Sequence, residues 1–345
     1  MDKKDANKPA SITDVAKRAG VAVGTVSHAL NSVGYVKAET REKILKAARE
    51  LNYVPNRAGR ILKTRQTRMI MLAIPDTSNE IYFGMIESVQ RVLKEHDYSL
   101  LLYYTNAIEK EEMKTLKMLQ ECVIDGLILV HFSYSEALLE EIQRCNSPIV
   151  LLGMCNHKWA GKGLPFDTVS IDVSLGIYNA VQHLIRAGHR RIGYLGGRKN
   201  VEVYEQRFAA YKRALAEGGI EYNPAYADWN DWTEGGGYIS ARRLMMLKDR
   251  PTAICASNDL QAIGCVEAVK DMGLQIPGDL ALVGMDNINV MRILGMTSLK
   301  MQEDLMGEAA ATMLMSHLED EASEMQDQYF RPELVVRDSS MYFEK

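Results

Sequence analysis

The sequence is poor in the features that mark secreted and membrane proteins. Its five cysteines among 345 residues form no CxxC pair and show no metal-ligand spacing, which disfavours both a disulfide framework and a zinc site. No apolar run approaches the roughly 20 residues that a transmembrane helix needs. The first ten residues, MDKKDANKPA, are charged and lack the apolar segment of a secretory signal. These absences predict a cytoplasmic protein without a membrane partner.

Motifs of the common enzyme classes are missing as well. The stretch GYLGGRKN clusters glycines after an apolar run, but it lacks the GxGxxG spacing of a dinucleotide-binding loop. The sequence contains neither a GxSxG nucleophile elbow nor a GxxxxGK(S/T) phosphate loop. Its seven histidines form no HxxxH or HExxH set. We therefore expect no catalytic residues, no cofactor and no bound metal. An enzymatic role for the chain is the rival hypothesis.

Charge is divided unevenly along the chain. Residues 1–64 hold 13 lysines and arginines against 6 acidic residues, whereas the remainder holds 28 against 39. The first part is therefore basic (net +7) and the rest is acidic (net −11). A basic head on an acidic body suggests that a polyanion is the partner of the head alone.

The basic head has the pattern of short helices around tight turns. In SITDVAKRAG, Ser11 and Asp14 have the spacing of a capping box at the start of a helix. Gly20 suits the left-handed residue that ends a helix. A second helix is predicted over about residues 23–31, and the two together read as a helix-turn-helix.

A third helix is predicted in AETREKILKAARELNY. It follows Lys37, a poor helix cap, so its start is weakly marked. Helical spacing places four apolar residues on one face: Ile44, Leu45, Ala48 and Leu51. Pro55 then breaks the chain, and NRAGRILK can form one further short helix.

From Thr67 onward the pattern changes to short apolar runs separated by amphipathic helical stretches. The runs are MIMLAIP, SLLLYY, DGLILV, PIVLLG, RRIGYLGG, TAICAS and LALVGMD. Such alternation predicts parallel sheets that helices cover on both faces. About 275 residues hold too many strand–helix units for one small sheet, so we predict two doubly wound α/β lobes. A ligand is then expected in the cleft between the lobes, at the carboxyl ends of the strands.

The second helix of the head can read DNA. Val26 and Leu30 lie four residues apart and should pack inward. The outer face and its flanks then carry small or polar residues: Gly24, Thr25, Ser27 and His28. Such a helix can enter a major groove, where hydroxyl groups contact phosphates and the imidazole of His28 contacts a base edge. A generic helical bundle with a surface histidine is the alternative.

The stretch SITDVAKRAGVAVGTVSHALNSVGYVKAETREKILKAARELNYVPNRAGRILKT closely resembles the head of the lactose-repressor (LacI/GalR) family of transcription factors. Further likeness follows in the usual order at IDGLILV, ASNDLQAIG, LVGMDN and PELVVRDSS, so the resemblance covers essentially the whole chain. It implies a repressor that binds double-stranded, pseudo-palindromic operator DNA as a homodimer. It also implies a body like a periplasmic sugar-binding protein, with two lobes, three crossovers and a small-molecule effector bound between the lobes.

The resemblance divides the chain into a helix-turn-helix head (1–55), a hinge helix and linker (56–66) and a body for effector binding and dimerisation (67–345). The segment NRAGRILK resembles the family's hinge helix, which orders on specific DNA and inserts a leucine, here Leu62, into the minor groove. The residues expected to contact DNA are Val23, Gly24, Thr25, Ser27, His28, Asn31, Asn56, Arg57, Leu62 and Lys63.

The resemblance also places the effector site at the ends of the body's strands. Arg207 and Asp286 match the family's ligand-binding arginine and aspartate, and Trp232 matches an aromatic residue that stacks on the ligand ring. An arginine, a carboxylate and a flat aromatic ring suit a polyhydroxylated ligand. A structural ion pair between Arg207 and Asp286, and a core position for Trp232, are the alternatives. The residues expected at the effector are Asp76, Ser78, Arg207, Trp232, Asn258 and Asp286.

Two departures from the family pattern bear on the effector's identity. Gly153 and Met154 stand where many relatives have an Asp-Arg pair at the end of the fourth strand. The stretch RKNVEVYEQ before Arg207 lacks the arginine and threonine found there in the purine-responsive member. A purine is therefore disfavoured, and a sugar or sugar derivative is expected. The alternative is a regulator of the same fold that responds to a phosphorylated carrier protein.

Overall fold

The computed structural model describes residues 10–31, 34–54, 66–132, 135–154, 166–199, 201–320 and 322–341, without the side chains of Asn31 and Met154. The chain divides into two compact units, Met1–Thr67 and Arg68–Lys345. Most of the segment 56–66, expected to be the hinge, lies outside the described residues. The expected limits of the head, hinge and body therefore stay predictions.

The described part of the head consists of three helices: α1 Ile12–Ala19, α2 Val23–Asn31 and α3 Ala38–Glu50. The predicted capping box is present at α1, where the Ser11 hydroxyl accepts a hydrogen bond from the Asp14 backbone N–H. In return, the Asp14 carboxylate accepts one from the Ser11 backbone N–H at 2.9 Å. Gly20 ends α1 in the left-handed conformation (φ +69°), which sets the tight turn into α2.

A small apolar core holds the head together. Val15, Val26 and Ile44 are fully buried, and each comes from a different helix. The prediction for α3 is wrong at one position, because Leu45 is 40% exposed and Ala47 is buried in its place. Ile44 and Ala47 lie three residues apart on one helical face, whereas Leu45 lies about 100° further round the axis.

The first lobe of the body is built on six strands: β1 Met69–Ile74, β2 Ser99–Tyr104, β3 Gly126–His131, β4 Ile149–Met154, β5 Asp167–Ile171 and β11 Asp327–Phe330. They form one sheet in the order β11-β5-β4-β3-β1-β2, and all neighbouring strands are parallel. The helices of this lobe are α4 Ile81–Glu95, α5 Glu109–Gln120, α6 Glu136–Gln143 and α12 Glu303–Glu319. The central strands β1 and β3 are almost entirely buried, as helices on both faces require.

The second lobe has six strands: β6 Ile192–Gly196, β7 Ala227–Trp229, β8 Ala253–Ala256, β9 Ala281–Asp286, β10 Thr297–Lys300 and β12 Glu333–Val335. Their order is β12-β10-β9-β8-β6-β7, and only the edge strand β12 is antiparallel to its neighbour. The helices are α7 Val173–Arg186, α8 Glu202–Glu217, α9 Glu234–Met245, α10 Asp259–Asp271 and α11 Asn289–Ile293. Short 3-10 turns lie at Pro224–Tyr226 and Asp338–Ser340.

The chain crosses between the lobes three times, after β5, after β10 and after β11. The second crossing leads into α12, which packs on α4 of the first lobe. The predicted fold class is thus confirmed: a small all-α helix-turn-helix head and an α/β body of two doubly wound lobes resembling a periplasmic binding protein. Among the described residues, none of the helices combines the length and the apolar character that crossing a bilayer would demand.

Candidate DNA-binding surface and ligand cleft

One face of α2 packs into the head and the other is open to solvent. Val26 is fully buried and Leu30 packs against the same core. Val23 is 41% exposed, and Gly24 and His28 are exposed as well. The structure therefore presents Val23, Gly24 and His28, three of the residues expected to contact DNA, on the side of α2 that a DNA groove could reach.

The remaining residues expected at DNA divide into two groups. Thr25 and Ser27 are half-buried beside the exposed face of α2, which leaves their hydroxyl groups at the flank of a docked helix. The other group lies outside the described residues, in the case of Asn31 for its side chain only: Asn31, Asn56, Arg57, Leu62 and Lys63.

A cavity lies where the carboxyl ends of the strands of the two lobes face each other. Its atom-free space is about 430 Å³, a figure that includes its open mouth. The part of it that water molecules can occupy is only about 40 Å³, so the two lobes are nearly closed on each other here and a sugar-sized ligand needs them to move apart. The first lobe lines it with Pro75, Asp76, Asn79, Ile81, Tyr82 and Phe132, and the second lobe lines it with Tyr204, Arg207, Trp232, Asn258 and Asp286.

Arg207 is a buried cation of this cavity with spare hydrogen-bonding capacity. It lies in the second turn of α8, five residues after the start of that helix at Glu202. Its side chain is 5% exposed, and one terminal nitrogen donates to the Ser257 carbonyl at 2.6 Å. Its buried Nε has no partner among the described residues. Since an unsatisfied buried donor costs free energy, an acceptor on a bound molecule would stabilise this site.

Asp286 is the buried anion of the cavity. It ends β9 with φ +116°, a conformation that L side chains rarely adopt, and it is 5% exposed. Its Oδ2 accepts a hydrogen bond from the Asn79 amide at 2.9 Å. Burial raises the pKa of the Asp286 carboxyl to about 6, although nearby Arg207 and the Asn79 hydrogen bond oppose the rise. The carboxyl is therefore mostly ionised at neutral pH and is ready to accept hydroxyl donors.

Among the described residues, no ion pair within 4.0 Å joins Arg207 to Asp286. The guanidinium lies instead over the ring of Tyr204, with 5.4 Å between its carbon and the ring centroid. The structure therefore does not support the alternative of a direct structural pair. Both charges line the same cavity and remain available to a ligand.

Asn258 and Trp232 shape one wall of the cavity. The Asn258 side-chain oxygen accepts from the Gln261 backbone N–H at 2.9 Å and so caps α10, while its amide donates to the Trp232 carbonyl at 2.7 Å. The Trp232 ring is nearly parallel to the Tyr204 ring, with centroids 6.2 Å apart. The Arg198 guanidinium lies 4.2 Å from the Trp232 ring. Asn258 thus holds the loop that carries a half-buried aromatic ring at the cavity.

Asp76 and Ser78 follow β1, but only Asp76 lines the cavity. Ser78 is exposed, and its N–H and hydroxyl donate to the two Asp76 carboxylate oxygens at 2.7 and 3.1 Å. In this arrangement Ser78 orients Asp76 from outside the cavity, and Asn79 takes the inner position. Ser78 was expected at the effector, and in the structure the neighbouring Asn79 lines the cavity instead.

Six further lining residues were not predicted: Pro75, Asn79, Ile81, Tyr82, Phe132 and Tyr204. For two of them, the position in the sequence could have predicted a place at the cavity. Phe132 directly follows β3, as Asp76 follows β1, and Tyr204 lies one helical turn before Arg207. Burial raises the pKa of the Tyr204 hydroxyl to about 12, so this group stays neutral and can donate or accept a hydrogen bond.

These features define a class of protein. A head with a solvent-facing helix for DNA, carried by a two-lobed body with a polar and aromatic cleft, is the architecture of a ligand-responsive DNA-binding protein. Among the described residues, no group of three or more histidines, cysteines and acids could hold a metal ion.

Comparison with known proteins agrees with this class. Residues 11–56 match the LacI family of bacterial regulatory proteins, and residues 181–340 match the periplasmic binding protein-like domain. The chain is 30% identical to the HTH-type transcriptional repressor PurR of Vibrio vulnificus and to the ribose operon repressor of Haemophilus influenzae; in both cases 96% of this chain and 98% of the relative are covered. A solved structure of the transcriptional regulator CelR–cellobiose complex is similar with a TM-score of 0.69 and 27% identity, over 96% of this chain and 99% of that one.

The chain belongs to the LacI family of bacterial transcriptional regulators. It is a DNA-binding regulator of transcription with the family's helix-turn-helix head and periplasmic-binding-protein-like body. The proteins of this family are regulators and not enzymes.

Proposed function

We propose that the protein is a repressor that binds a pseudo-palindromic operator as a homodimer and is controlled by a sugar or sugar derivative in the cleft. The observation that carries the proposal is the joint burial of Arg207 and Asp286 at one cavity without a mutual ion pair. Ligand binding there would favour one arrangement of the lobes, and operator affinity would follow that arrangement. The proposal places the protein in the cytoplasm, where bacterial operator DNA lies.

The chemistry of the cavity supports a polyhydroxylated ligand. Asp286 and Asp76 can accept hydrogen bonds from hydroxyl groups, and the Arg207 guanidinium can donate to a ring or hydroxyl oxygen. Trp232 and Tyr204 offer flat apolar faces to the C–H groups of a sugar ring. Relatives named for a ribose operon and for a cellobiose complex are consistent with this class.

The DNA side of the proposal uses the exposed face of α2 and the hinge. We assign base contacts to Val23, Gly24 and His28, and phosphate contacts to Thr25 and Ser27. Asn31, Asn56, Arg57, Leu62 and Lys63 complete the proposed DNA-contacting set. Operator affinity should fall steeply with added salt, since each neutralised phosphate releases counterions.

Replacing Arg207 with alanine should abolish the effector response and leave operator binding intact. The change removes the buried donor from the cavity and leaves the head untouched. The measurement is a thermal-shift screen of carbohydrates, followed by operator binding with and without the sugar that raises the melting temperature. Arg213→Ala, an exposed arginine on the same helix, is the matched control. A normal response of the Arg207 variant would exclude the proposed site.

Replacing Leu62 with alanine should weaken binding to the operator far more than binding to random DNA. An apolar wedge in the minor groove stabilises only the bent, specific complex, and its loss should lower specific affinity by roughly 10- to 100-fold. Fluorescence anisotropy with palindromic and random duplexes at one salt concentration measures both. An equal loss on both duplexes would show that Leu62 is not the wedge.

Operator binding measured with a phosphorylated carrier protein, beside the carbohydrate screen, separates the proposed effector from the alternative. If no carbohydrate shifts the melting temperature but a phosphorylated carrier protein alters operator binding, the regulator responds to a protein signal. If wild-type protein binds random and palindromic duplexes equally and no metabolite changes this, the proposed function as a whole is wrong.

A further inference from the structure

A hydrogen bond joins the two lobes across the cleft. The Asn79 amide nitrogen, in the loop between β1 and α4 of the first lobe, donates to Asp286 Oδ2 of the second lobe at 2.9 Å. The two side chains are 9% and 5% exposed. A charged acceptor in such a buried position makes this one of the stronger kinds of hydrogen bond in proteins.

Each partner is held rigidly within its own lobe. The Asn79 side-chain oxygen accepts from the Ile81 backbone N–H at 3.1 Å, so its amide nitrogen must point towards Asp286. On the other side, the buried Asp259 carboxylate accepts from the Ile288 N–H at 2.9 Å and from the Ser298 hydroxyl at 2.6 Å. These bonds fix the turn that follows Asp286. Neither side chain can follow a movement of the opposite lobe, so the bond breaks when the lobes separate.

A second contact between the lobes lies beside the first. The Glu80 carboxylate accepts a hydrogen bond from the Asn289 backbone N–H at 3.3 Å. Glu80 is the neighbour of Asn79, and Asn289 lies three residues after Asp286. This longer and more exposed bond contributes less, but it shows that the two segments face each other along a continuous line.

We propose that Asn79 and Asp286 form a resident latch, which holds the cleft closed before any effector binds and orients the carboxylate towards the effector. The proposal rests on the proposed function only for the effector-binding role of Asp286. Asn79 is then a positioning residue. When only the closed form can bind, the strength of the latch sets the apparent effector affinity through the closed population. It also sets the resting balance between the two lobe arrangements that the head senses.

The charges around Asp286 make the latch testable by reversal. Arg207, Glu303 and Asp259 influence the Asp286 carboxyl from three other elements. Among described residues, none of the cations lies within ion-pairing distance of Asp286. A second carboxylate at position 79 would therefore face Asp286 with no cation within ion-pairing distance, and at a pH that ionises both groups the two would repel each other.

The test is an exchange of the two side chains in the full chain, without sugar or DNA, at pH 9.5, so that two adjacent carboxylates do not share a proton. Asn79→Asp should open the cleft and increase the radius of gyration in small-angle X-ray scattering. The double variant Asn79→Asp with Asp286→Asn should return it to the wild-type value, because the new carboxylate accepts from both the Ile81 N–H and the new amide. Thr77→Asp, which adds the same charge at an exposed position of the same loop, should leave the scattering unchanged.

Acrylamide quenching of tryptophan fluorescence gives a second readout, since Trp232 lines the cavity. Quenching should increase in Asn79→Asp and return to the wild-type level in the exchanged variant. Circular dichroism verifies that all variants are folded. A folded Asn79→Asp variant with wild-type scattering and quenching, or an exchanged variant that stays open, would overturn the latch. Because no effector or operator is present, either result leaves the proposed function to its own experiments.

Discussion

Replacing Gly264 with alanine should lower the free energy of unfolding of the two-lobed body by about 3 kcal/mol. A Cβ atom at this position of α10 would lie 1.9 Å from the Glu234 carbonyl oxygen and 2.6 Å from the Tyr238 backbone nitrogen. Both atoms belong to the backbone of α9. A side chain could rotate away from such a clash, but backbone cannot, so the two helices would have to move apart. The approach of α9 and α10 therefore depends on this glycine.

Urea unfolding followed by circular dichroism measures the effect, and Gly235→Ala on α9 is the matched control. A Cβ atom at Gly235 meets only the Thr233 hydroxyl, at 3.9 Å. Alanine is the better helix former by about 1 kcal/mol, so the control should be neutral or slightly stabilising. Equal unfolding midpoints for the two variants would contradict the predicted clash. Gly264→Ala should also disturb the cleft. Helix α10 starts directly after Asn258, and the hydrogen bond of the Asn258 amide holds the loop that carries Trp232.

Replacing Asp286 with asparagine should lower the affinity for the effector sugar by roughly 100-fold at pH 7.5. The change removes a buried negative acceptor, and two hydrogen bonds to a charged group are each worth about 1.5 kcal/mol or more. Isothermal titration with the sugar found by thermal shift measures the affinity, and circular dichroism with the urea unfolding midpoint serves as the control for an intact fold. Wild-type sugar affinity in the variant would remove Asp286 from the site.

The difference in sugar affinity between the wild type and Asp286→Asn should depend on pH. The pKa of Asp286 is raised from the ordinary 3.8 to about 6, because burial disfavours its charge. Wild-type sugar affinity should therefore fall as the pH is lowered through 6, and the difference from Asp286→Asn should shrink towards pH 5. The contribution of Asp286 to the free energy of unfolding changes with pH in the opposite direction. The native state holds this proton more tightly than the unfolded chain, so the contribution is complete below pH 3.8 and is lost as the pH rises through 6.

Local features of the sequence predicted the elements of the fold well. The seven apolar runs all became strands, from β1 to β9, because a buried parallel strand needs an unbroken apolar segment. Strands that were not singled out, such as β7 and β12, are only three residues long and carry polar residues. These strands belong to the sheet because they pair with neighbouring strands. Such pairing produces no recognisable pattern in the local sequence.

The residues that line the cavity were predicted only in part, because local patterns do not show which side chains of a loop face it. Asp76, Arg207, Trp232, Asn258 and Asp286 all line one cavity, as the family resemblance implied. Ser78 does not line it, and Asn79 does. A period-two or period-3.6 pattern cannot distinguish two adjacent loop residues, since the direction of each side chain there depends on turn geometry and on its partners.

By itself, the sequence determined the helices of the head and the seven apolar strands, where α1 starts and stops, and which residues lie at the carboxyl ends of those strands. These properties depend on neighbours within a few residues, through capping, backbone conformation and apolar periodicity. Only the tertiary structure decided that Asn79 meets Asp286, 207 residues further along the chain, that α9 and α10 touch at backbone distance, and that Arg207 and Asp286 share a cavity without pairing. Those contacts arise from the packing of whole lobes, which brings together residues that no local pattern relates.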